Sequence, residues 1–230
     1  MTVDENDLIA RLPRRDRRSL LAVCESVTLV RGEVLYKPGD LARHVYFPNQ
    51  GFVSLMAAID GEPGLEVGMV GREGMLGAHV VLGVGVAPLR AMVHGAGTAW
   101  RAGSARFRNE LAASAALQRT LNRYLYMLME QMATSARCTR FHRVEPRLAR
   151  WLLVSQDRAH SDSFHLTHEG LAAMLGVRRV GITGAASDLQ RRGLVRYHRG
   201  DITVLDRAGL EAAACGCYAA DRDAYGRMLG

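Results

Sequence analysis

The apolar positions change their spacing twice along the chain, and each spacing predicts a different kind of element. Between residues 27 and 101, brief apolar runs such as VTLV and FVSLMAAI are separated by Gly, Pro, Asp and Asn roughly every ten residues. Strands punctuated by turns in this way are typical of an antiparallel β sandwich or barrel. Residues 8–23 place Leu, Ile and Val at helical spacing, so we predict a β domain with a helical lead-in over residues 1–108.

A helical pattern begins near Arg106, where Gly and Pro disappear for about thirty residues. Leu117, Leu121 and Leu128 belong to an apolar stripe with intervals of three and four, which is typical of one long amphipathic helix. We assign this helix to residues 109–139. At about 1.5 Å per residue it is ~45 Å long, more than a small β domain covers. We therefore predict that it pairs with the same helix of a second copy, with packing inside the chain's own core as the alternative.

Two short helices joined by a glycine are predicted in LTHEGLAAMLGVRRVGITGAASDLQRRGLV, residues 166–195. Thr167 is suited to cap the first helix, and Gly176 permits the positive φ that ends it. LVRYHRGDITVLD then has two β-rich runs around Arg-Gly-Asp, which predicts a hairpin. Together these features indicate a winged helix-turn-helix domain over residues 140–230, in which the second helix enters the major groove of double-stranded DNA. We predict SDSFH as a loop and DRAGLEAAACGCYAADRDAYGRML as one closing helix.

The formal charge of +7 favours polyanionic partners, but the basic residues are spread along the chain and nearly all are Arg. Charge alone is therefore weak support for nucleic-acid binding. No apolar run reaches the roughly 18 residues of a membrane span, and the charged N-terminus MTVDENDLIARLPRRDRR lacks the apolar region of a signal peptide. We expect a cytoplasmic protein with no membrane partner.

Four cysteines, Cys24, Cys138, Cys215 and Cys217, are too few and too scattered for a disulfide-stapled domain, so reduced thiols are expected. The C-x-C spacing of Cys215 and Cys217 can ligate a metal, but two thiolates do not fill a tetrahedral site. No metal site is therefore predicted.

The order of these segments resembles that of the Crp/Fnr superfamily of bacterial transcription regulators. The resemblance covers nearly the whole chain, from RGEVLYKPGD and VYFPNQG, through the long helix, to LTHEGLAAMLGVRRVGITGAASDLQRRGLVRY. It implies an α+β protein with an N-terminal antiparallel, jelly-roll-like β-roll similar to cyclic-nucleotide-binding domains, a long dimerisation helix and a C-terminal winged helix-turn-helix domain. It also implies a homodimer on a palindromic operator, with the β-roll as sensor and RNA polymerase as a candidate partner.

Members of this superfamily usually present a polar triplet, typically Glu with Arg or Ser neighbours, at the start of the recognition helix. Here Arg179 falls on a reading position after Arg178, but Val180 stands at the usual Glu position and Gly184 where a second Arg is common. We predict that Arg178, Arg179, Val180 and Thr183 read bases, with Arg179 contacting a guanine and Val180 and Thr183 making smaller or methyl contacts. Phosphate binding alone by Arg178 and Arg179 is the alternative. The expected phosphate partners are Thr167, His168, Arg196, His198 and Arg199.

Cyclic-nucleotide binders of the superfamily carry Gly-Glu in a short helix and Arg-Ser or Arg-Thr about ten residues later. Gly77 matches the Gly, but Ala78 replaces the Glu, and Leu89 stands where the phosphate-binding Arg is expected. Arg90 comes one residue late, which on a strand turns a side chain to the opposite face. Cyclic AMP is therefore not expected, and the effector is unknown. The candidates for an altered effector pocket are Glu73, Gly77, Arg90, Tyr124, Met127 and Leu128.

A competing hypothesis is a metal- or haem-dependent sensor or a cupin-like enzyme, in which His44, His79 and His94 of the β domain ligate the metal. The sequence offers no nucleophile–base pair, paired catalytic carboxylates or Walker loop for an enzyme. We therefore predict a regulator and not an enzyme.

Overall fold

The computed structural model describes residues 5–59, 62–159 and 161–229. The chain divides into two compact units, one with Met1–Leu55 and Met69–Leu128 and the other with Met56–Gly68 and Met129–Met228. Both contain helices and strands, which confirms the predicted α+β class. None of the described helices is long and apolar enough to span a membrane.

The first unit begins with two short helices, α1 (Asp7–Ala10) and α2 (Arg14–Ala22), so the predicted helical lead-in is confirmed. The Asn6 side chain caps α1 by accepting hydrogen bonds from two backbone N–H groups of its first turn. Pro13 stands immediately before α2, where its missing N–H removes no helical hydrogen bond.

Among the described residues seven strands follow, whereas the apolar run AHVVL, residues 78–82, contains a short helix instead of a strand. The seven strands form one sheet with the order β1-β7-β3 and a second with the order β2-β6-β4-β5. The pairs β1 with β7, β3 with β7 and β2 with β6 are antiparallel, as predicted. The strands are β1 (Cys24–Leu29), β2 (Val34–Tyr36), β3 (His44–Pro48), β4 (Phe52–Ile59), β5 (Glu62–Val70), β6 (Arg90–Gly95) and β7 (Gly97–Gly103), with the short helix α3 (Ala78–Val81) between β5 and β6.

The predicted single helix over residues 109–139 is instead two helices, α4 (Ser104–Ala113) and α5 (Ala115–Phe141). Ser114 separates them in an extended conformation, with φ −121° and ψ 102°. Its hydroxyl accepts a hydrogen bond from the backbone N–H of Leu117 at 3.0 Å and donates one to Asp16. The hydroxyl therefore caps the start of α5, which explains a break that contains neither Gly nor Pro.

Besides the end of β4 and most of β5, the described part of the second unit contains the end of α5, five further helices and a three-stranded antiparallel sheet with the order β8-β10-β9. The predicted hairpin is confirmed: β9 and β10 are joined by Arg199 and Gly200, whose φ values are both positive, as a tight two-residue turn requires. The elements are α6 (Val144–Ala159), β8 (Ser163–His165), α7 (His168–Leu175), α8 (Arg179–Arg191), β9 (Val195–His198), β10 (Asp201–Val204), α9 (Arg207–Ala213) and α10 (Cys217–Leu229).

Two sequence-based predictions in this unit are wrong. SDSFH is not only a loop, because Ser163–His165 forms β8 and pairs with β10. Three residues are too few to show the alternation that reveals a strand. The predicted closing helix is two helices, α9 and α10, because the backbone is extended at Ala214, with φ −71° and ψ 156°.

Candidate nucleic-acid interface

The turn between α7 and α8 has the backbone geometry that the sequence predicts. The hydroxyl of Thr167 accepts a hydrogen bond from the backbone N–H of Gly170 at 3.1 Å, which confirms it as the cap of α7. Gly176 ends α7 in the left-handed region, with φ 61° and ψ 44°. The backbone N–H of Val177 then donates to the carbonyl of Ala172 at 2.9 Å, and this hydrogen bond fixes the direction in which α8 begins.

Gly176 should be the least replaceable residue of this turn. We expect Gly176→Ala to lower the free energy of unfolding by about 1–2 kcal/mol, since an L side chain is strained in the left-handed region. An added Cβ would also lie 2.8 Å from Cδ1 of Leu65. Chemical denaturation measures the change.

Gly184→Ala is the matched control, because Gly184 lies on the exposed face of α8 and its added Cβ would meet no atom within 4 Å. In a helix interior this change should raise the free energy of unfolding by about 0.5–1 kcal/mol. Equal effects of the two substitutions would contradict the turn geometry.

Helix α8 buries one face and leaves the other in solvent. Ile182 and Leu189 are fully buried in the second unit. Val180 is 75% exposed, and Arg178, Arg179 and Thr183 are exposed near the start of the same helix. The four predicted base-reading residues therefore lie together at the N-terminal end of α8, which is the end that reads base edges in helix-turn-helix proteins.

Thr183 is the predicted base-reading residue whose hydroxyl already has hydrogen-bond partners within the protein. Its hydroxyl donates to the carbonyl of Arg179 at 3.2 Å and lies 3.1 Å from Nδ1 of His168. Because these two partners occupy the hydroxyl, the methyl group is the part of Thr183 left for a base. This arrangement suits the methyl contact that the sequence predicts.

His168 is part of the contact between α7 and the wing, the hairpin of β9 and β10. Its ring stacks on Tyr197, with centroids 4.3 Å apart, and the Tyr197 hydroxyl donates to the carbonyl of Leu166 at 2.9 Å. Burial, together with the positive charge of Arg179, lowers the pKa of His168. The imidazole is therefore neutral at neutral pH, and its contact with phosphate remains a prediction.

A hydrogen bond also joins the wing to α8. The backbone N–H of Tyr197 donates to Oε1 of Gln190 at 2.7 Å. Sequence reasoning missed both residues as positioning groups, because Gln190 and Tyr197 carry no motif and meet only in the folded domain. Arg196, His198 and Arg199, the predicted phosphate partners of the wing, are exposed on the strand and at its turn.

The arginines near this surface fall into two groups. Arg191 pairs with Asp188, and Arg192 pairs with Glu145 at 2.6 Å. Among the described residues, no ion pair or side-chain hydrogen bond engages the four exposed guanidinium groups of Arg178, Arg179, Arg196 and Arg199. These unpaired cations are the ones available to a polyanion; we call them the reader arginines.

The candidate effector residues of the first unit are partly engaged with the backbone. Oε1 of Glu73 accepts a hydrogen bond from the backbone N–H of Gly71 at 3.0 Å, and the Tyr124 hydroxyl donates to the carbonyl of Met75 at 3.0 Å. Gly77 precedes α3 with φ 93°. Arg90 is exposed at the start of β6, while Met127 and Leu128 are buried on α5. An effector pocket at these residues remains a prediction.

The three histidines of the competing hypothesis do not converge on a metal site within the described part of the chain. His44 lies in β3, His79 in α3 and His94 in β6. Burial lowers the pKa of His94 to about 4. These rings pack in the β domain as separate side chains.

Comparison with known proteins agrees with this geometry. Residues 146–213 match the family model of the Crp-like helix-turn-helix domain. Among solved structures, the chain is similar to FixK2 from Bradyrhizobium japonicum, with a TM-score of 0.70, 15% identity, and coverage of 84% of this chain and 98% of that chain. It is similar to a CRP/FNR-family transcriptional regulator from Thermus thermophilus, with a TM-score of 0.68, 22% identity, and coverage of 83% and 98%. A search of curated proteins found no match.

A third similar structure is the c-di-GMP-responsive global regulator CLP from Xanthomonas campestris, with a TM-score of 0.68, 17% identity, and coverage of 84% of this chain and 99% of that chain. Residues 146–213 are therefore similar to a Crp-like helix-turn-helix domain, and the chain shares the fold of these solved structures. That the chain is a regulator and not an enzyme remains a prediction.

Proposed function

We propose that the chain acts as a homodimer that binds a palindromic operator in double-stranded DNA through the exposed N-terminal face of α8. The observation that carries this proposal is the group of reader arginines, Arg178 and Arg179 on α8 and Arg196 and Arg199 on the wing. Each of these guanidinium groups is exposed and unpaired among the described residues, whereas Arg191 and Arg192 are neutralised by carboxylates. Free cations on both the reading helix and the wing fit a groove flanked by two phosphate backbones.

Selection of bound fragments from a random DNA library tests the operator. A twofold dimer should recover an inverted repeat whose half-sites are about 10 base pairs apart, centre to centre. An asymmetric consensus with a single half-site would contradict the proposed dimer, and no enrichment at all would contradict sequence-specific binding.

The dimer contact that we propose differs from the predicted apolar stripe. Leu117, Leu121 and Leu128 are buried within the protomer, so the alternative of intrachain packing holds for them. Another row remains exposed on α5: Tyr126 is 45% exposed and Met129 is 62% exposed. The row continues through the exposed Ala133, Ala136 and Arg140 at intervals of three and four, the spacing of a helix-pairing seam.

Met129→Glu should therefore prevent dimer formation, because it places a charge at the centre of the seam on both copies. Light scattering coupled to gel filtration should give a dimer mass for the unaltered protein and a monomer mass for the variant. Leu41→Glu is the control, since Leu41 is 68% exposed in the β domain and should leave the mass unchanged. A dimeric Met129→Glu protein would rule out this seam.

The proposed effector is not cyclic AMP. Ala78 offers no carboxylate for the ribose, and Arg90 is exposed at the strand position one residue beyond that expected for the phosphate ligand. Among structures of the same fold, one is of a c-di-GMP-responsive regulator, so the fold is compatible with other ligands. We propose RNA polymerase as the protein partner through which operator binding changes transcription.

A further inference from the structure

Three thiols and one imidazole meet in the second unit. Cys138 lies in the last turn of α5, and His142 follows that helix directly. Cys215 lies between α9 and α10, and Cys217 is the first residue of α10. The four ligand atoms all lie within 4.8 Å of one another, and this is the group that could hold a metal ion among the described residues.

The local backbone explains how residues so far apart in sequence can converge. The backbone N–H of His142 donates to the carbonyl of Cys138 at 3.1 Å, so a helical turn places both side chains on one face. In an uninterrupted helix, Cys215 and Cys217 would point about 200° apart. The extended backbone at Ala214 breaks the predicted closing helix there and allows both thiols to face the end of α5.

The distances suit a tetrahedral zinc ion. Sγ of Cys138 is 3.5 Å from Sγ of Cys215, and Sγ of Cys217 is 3.6 Å from Nδ1 of His142. Zinc bonds of ~2.3 Å to sulfur and ~2.0 Å to nitrogen place tetrahedral ligand atoms about 3.5–3.8 Å apart. The Sγ–Nδ1 separation is within ~0.1 Å of the value for one sulfur and one nitrogen ligand, and the Sγ–Sγ separation is ~0.3 Å below the value for two sulfur ligands. The other pairs of ligand atoms lie within 4.8 Å, so small side-chain shifts would complete the tetrahedron.

Burial and charge point to the same ion. The three cysteines are 2%, 8% and 2% exposed, and His142 is half-buried, so four protein ligands can close the site against water, as in structural zinc sites. Zinc with three thiolates and a neutral imidazole carries one net negative charge. The guanidinium of Arg137, whose Nη2 lies 3.9 Å from Sγ of Cys217, can compensate that charge.

We propose that Cys138, His142, Cys215 and Cys217 form a structural zinc site that fixes the start of α10 to the end of α5. The cluster is continuous with the winged domain, because the backbone N–H of Cys215 donates to the carbonyl of Pro146 in α6 at 3.3 Å. A metal at this point cross-links segments 77 positions apart in sequence and adds the free energy of metal binding to that of folding. Neither the operator proposal nor the dimer proposal is needed for this inference.

Metal analysis of the full chain tests the site. Protein purified under reducing conditions, reconstituted with zinc and passed through gel filtration should contain about one zinc per chain. Cys138→Ser and Cys217→Ser should each reduce that content to less than about a tenth. Cys24→Ser is the matched control and should keep the full content, because Cys24 lies in β1 of the other unit. Zinc content below about a tenth per chain in the unaltered protein would overturn the proposal.

Two further measurements keep the test decisive if a serine variant fails to fold. Removal of zinc from the unaltered protein with a chelator should lower its Tm by ~5 °C or more, and zinc should restore it. Cobalt in place of zinc should show the thiolate charge-transfer absorption of a tetrahedral site, which Cys24→Ser leaves unchanged. A Cys138–Cys215 disulfide found by mass spectrometry in the reduced preparation, or stoichiometric iron in place of zinc, would contradict the assignment.

Discussion

Operator affinity should fall by about 10³–10⁴ when the salt concentration rises from 50 to 200 mM. The reader arginines number four per chain, hence eight in a dimer, and each cation that neutralises a phosphate releases a counterion. If six to eight of them contact phosphate, the logarithm of the binding constant should fall against the logarithm of salt with a slope of about −5 to −7. Fluorescence anisotropy over a salt series on the selected operator gives the slope.

Two arginines that are paired with carboxylates provide the control for this prediction. Arg196→Ala with Arg199→Ala should make the slope shallower by about 3–4, since four phosphate contacts leave the dimer. Arg191→Ala with Arg192→Ala removes the same formal charge, but those guanidinium groups pair with Asp188 and Glu145. The slope of this second variant should therefore change little. Equal changes in both variants would show that net charge, and not contact by the wing, sets the salt dependence.

Local chemistry made much of the winged domain predictable. Thr167 and Gly176 are specified by the requirements of a helix start and a helix end, and both take the predicted conformations. The turn at Arg199 and Gly200 follows from the β-rich runs that flank it. Each of these features depends on residues within a few positions of one another, so sequence spacing is sufficient to find it.

The apolar stripe on α5 shows what the spacing of apolar residues cannot predict. Spacing at three and four identified an apolar face that includes Leu117 and Leu121, but it could not say whether the chain itself or a second copy covers that face. The structure buries those residues within the protomer and leaves Tyr126 and Met129 exposed on another row. Exposure, which depends on the residues that pack against each part of the helix in the folded chain, is needed to separate the two rows.

The cluster of three thiols and one imidazole could not be predicted from the sequence for a similar reason. Cys215 and Cys217 offer only two ligands by spacing, and the other two lie more than seventy positions away. The C-x3-H spacing of Cys138 and His142 was the available signal, because residues four apart share a helix face. Its connection to the C-x-C pair exists only in the folded chain.

Arg179→Ala should weaken binding to each half-site by about 5- to 150-fold, because each loses one bidentate guanine contact worth about 1–3 kcal/mol. The two losses multiply on the whole operator. The physical reason is that Val180 and Gly184 bring no hydrogen-bonding side chain to the exposed face of α8, and the hydroxyl of Thr183 is occupied by His168 and Arg179 itself. Arg179 is thus the side chain of that face best able to distinguish guanine from other bases by hydrogen bonds. The remaining selectivity should come from methyl contacts and DNA shape.

A comparison of operator and mismatched DNA separates reading from simple charge attraction. Arg179→Ala should abolish the preference for guanine at one position of each half-site, whereas Arg196→Ala should weaken operator and mismatched DNA by the same factor, as loss of a phosphate contact does. Arg196 is the control because it is likewise an exposed, unpaired arginine and is predicted to contact phosphate only. If Arg179→Ala lowers both affinities equally and keeps the guanine preference, Arg179 binds phosphate only, and sequence selectivity must then come from Val180, Thr183 and the shape of the DNA.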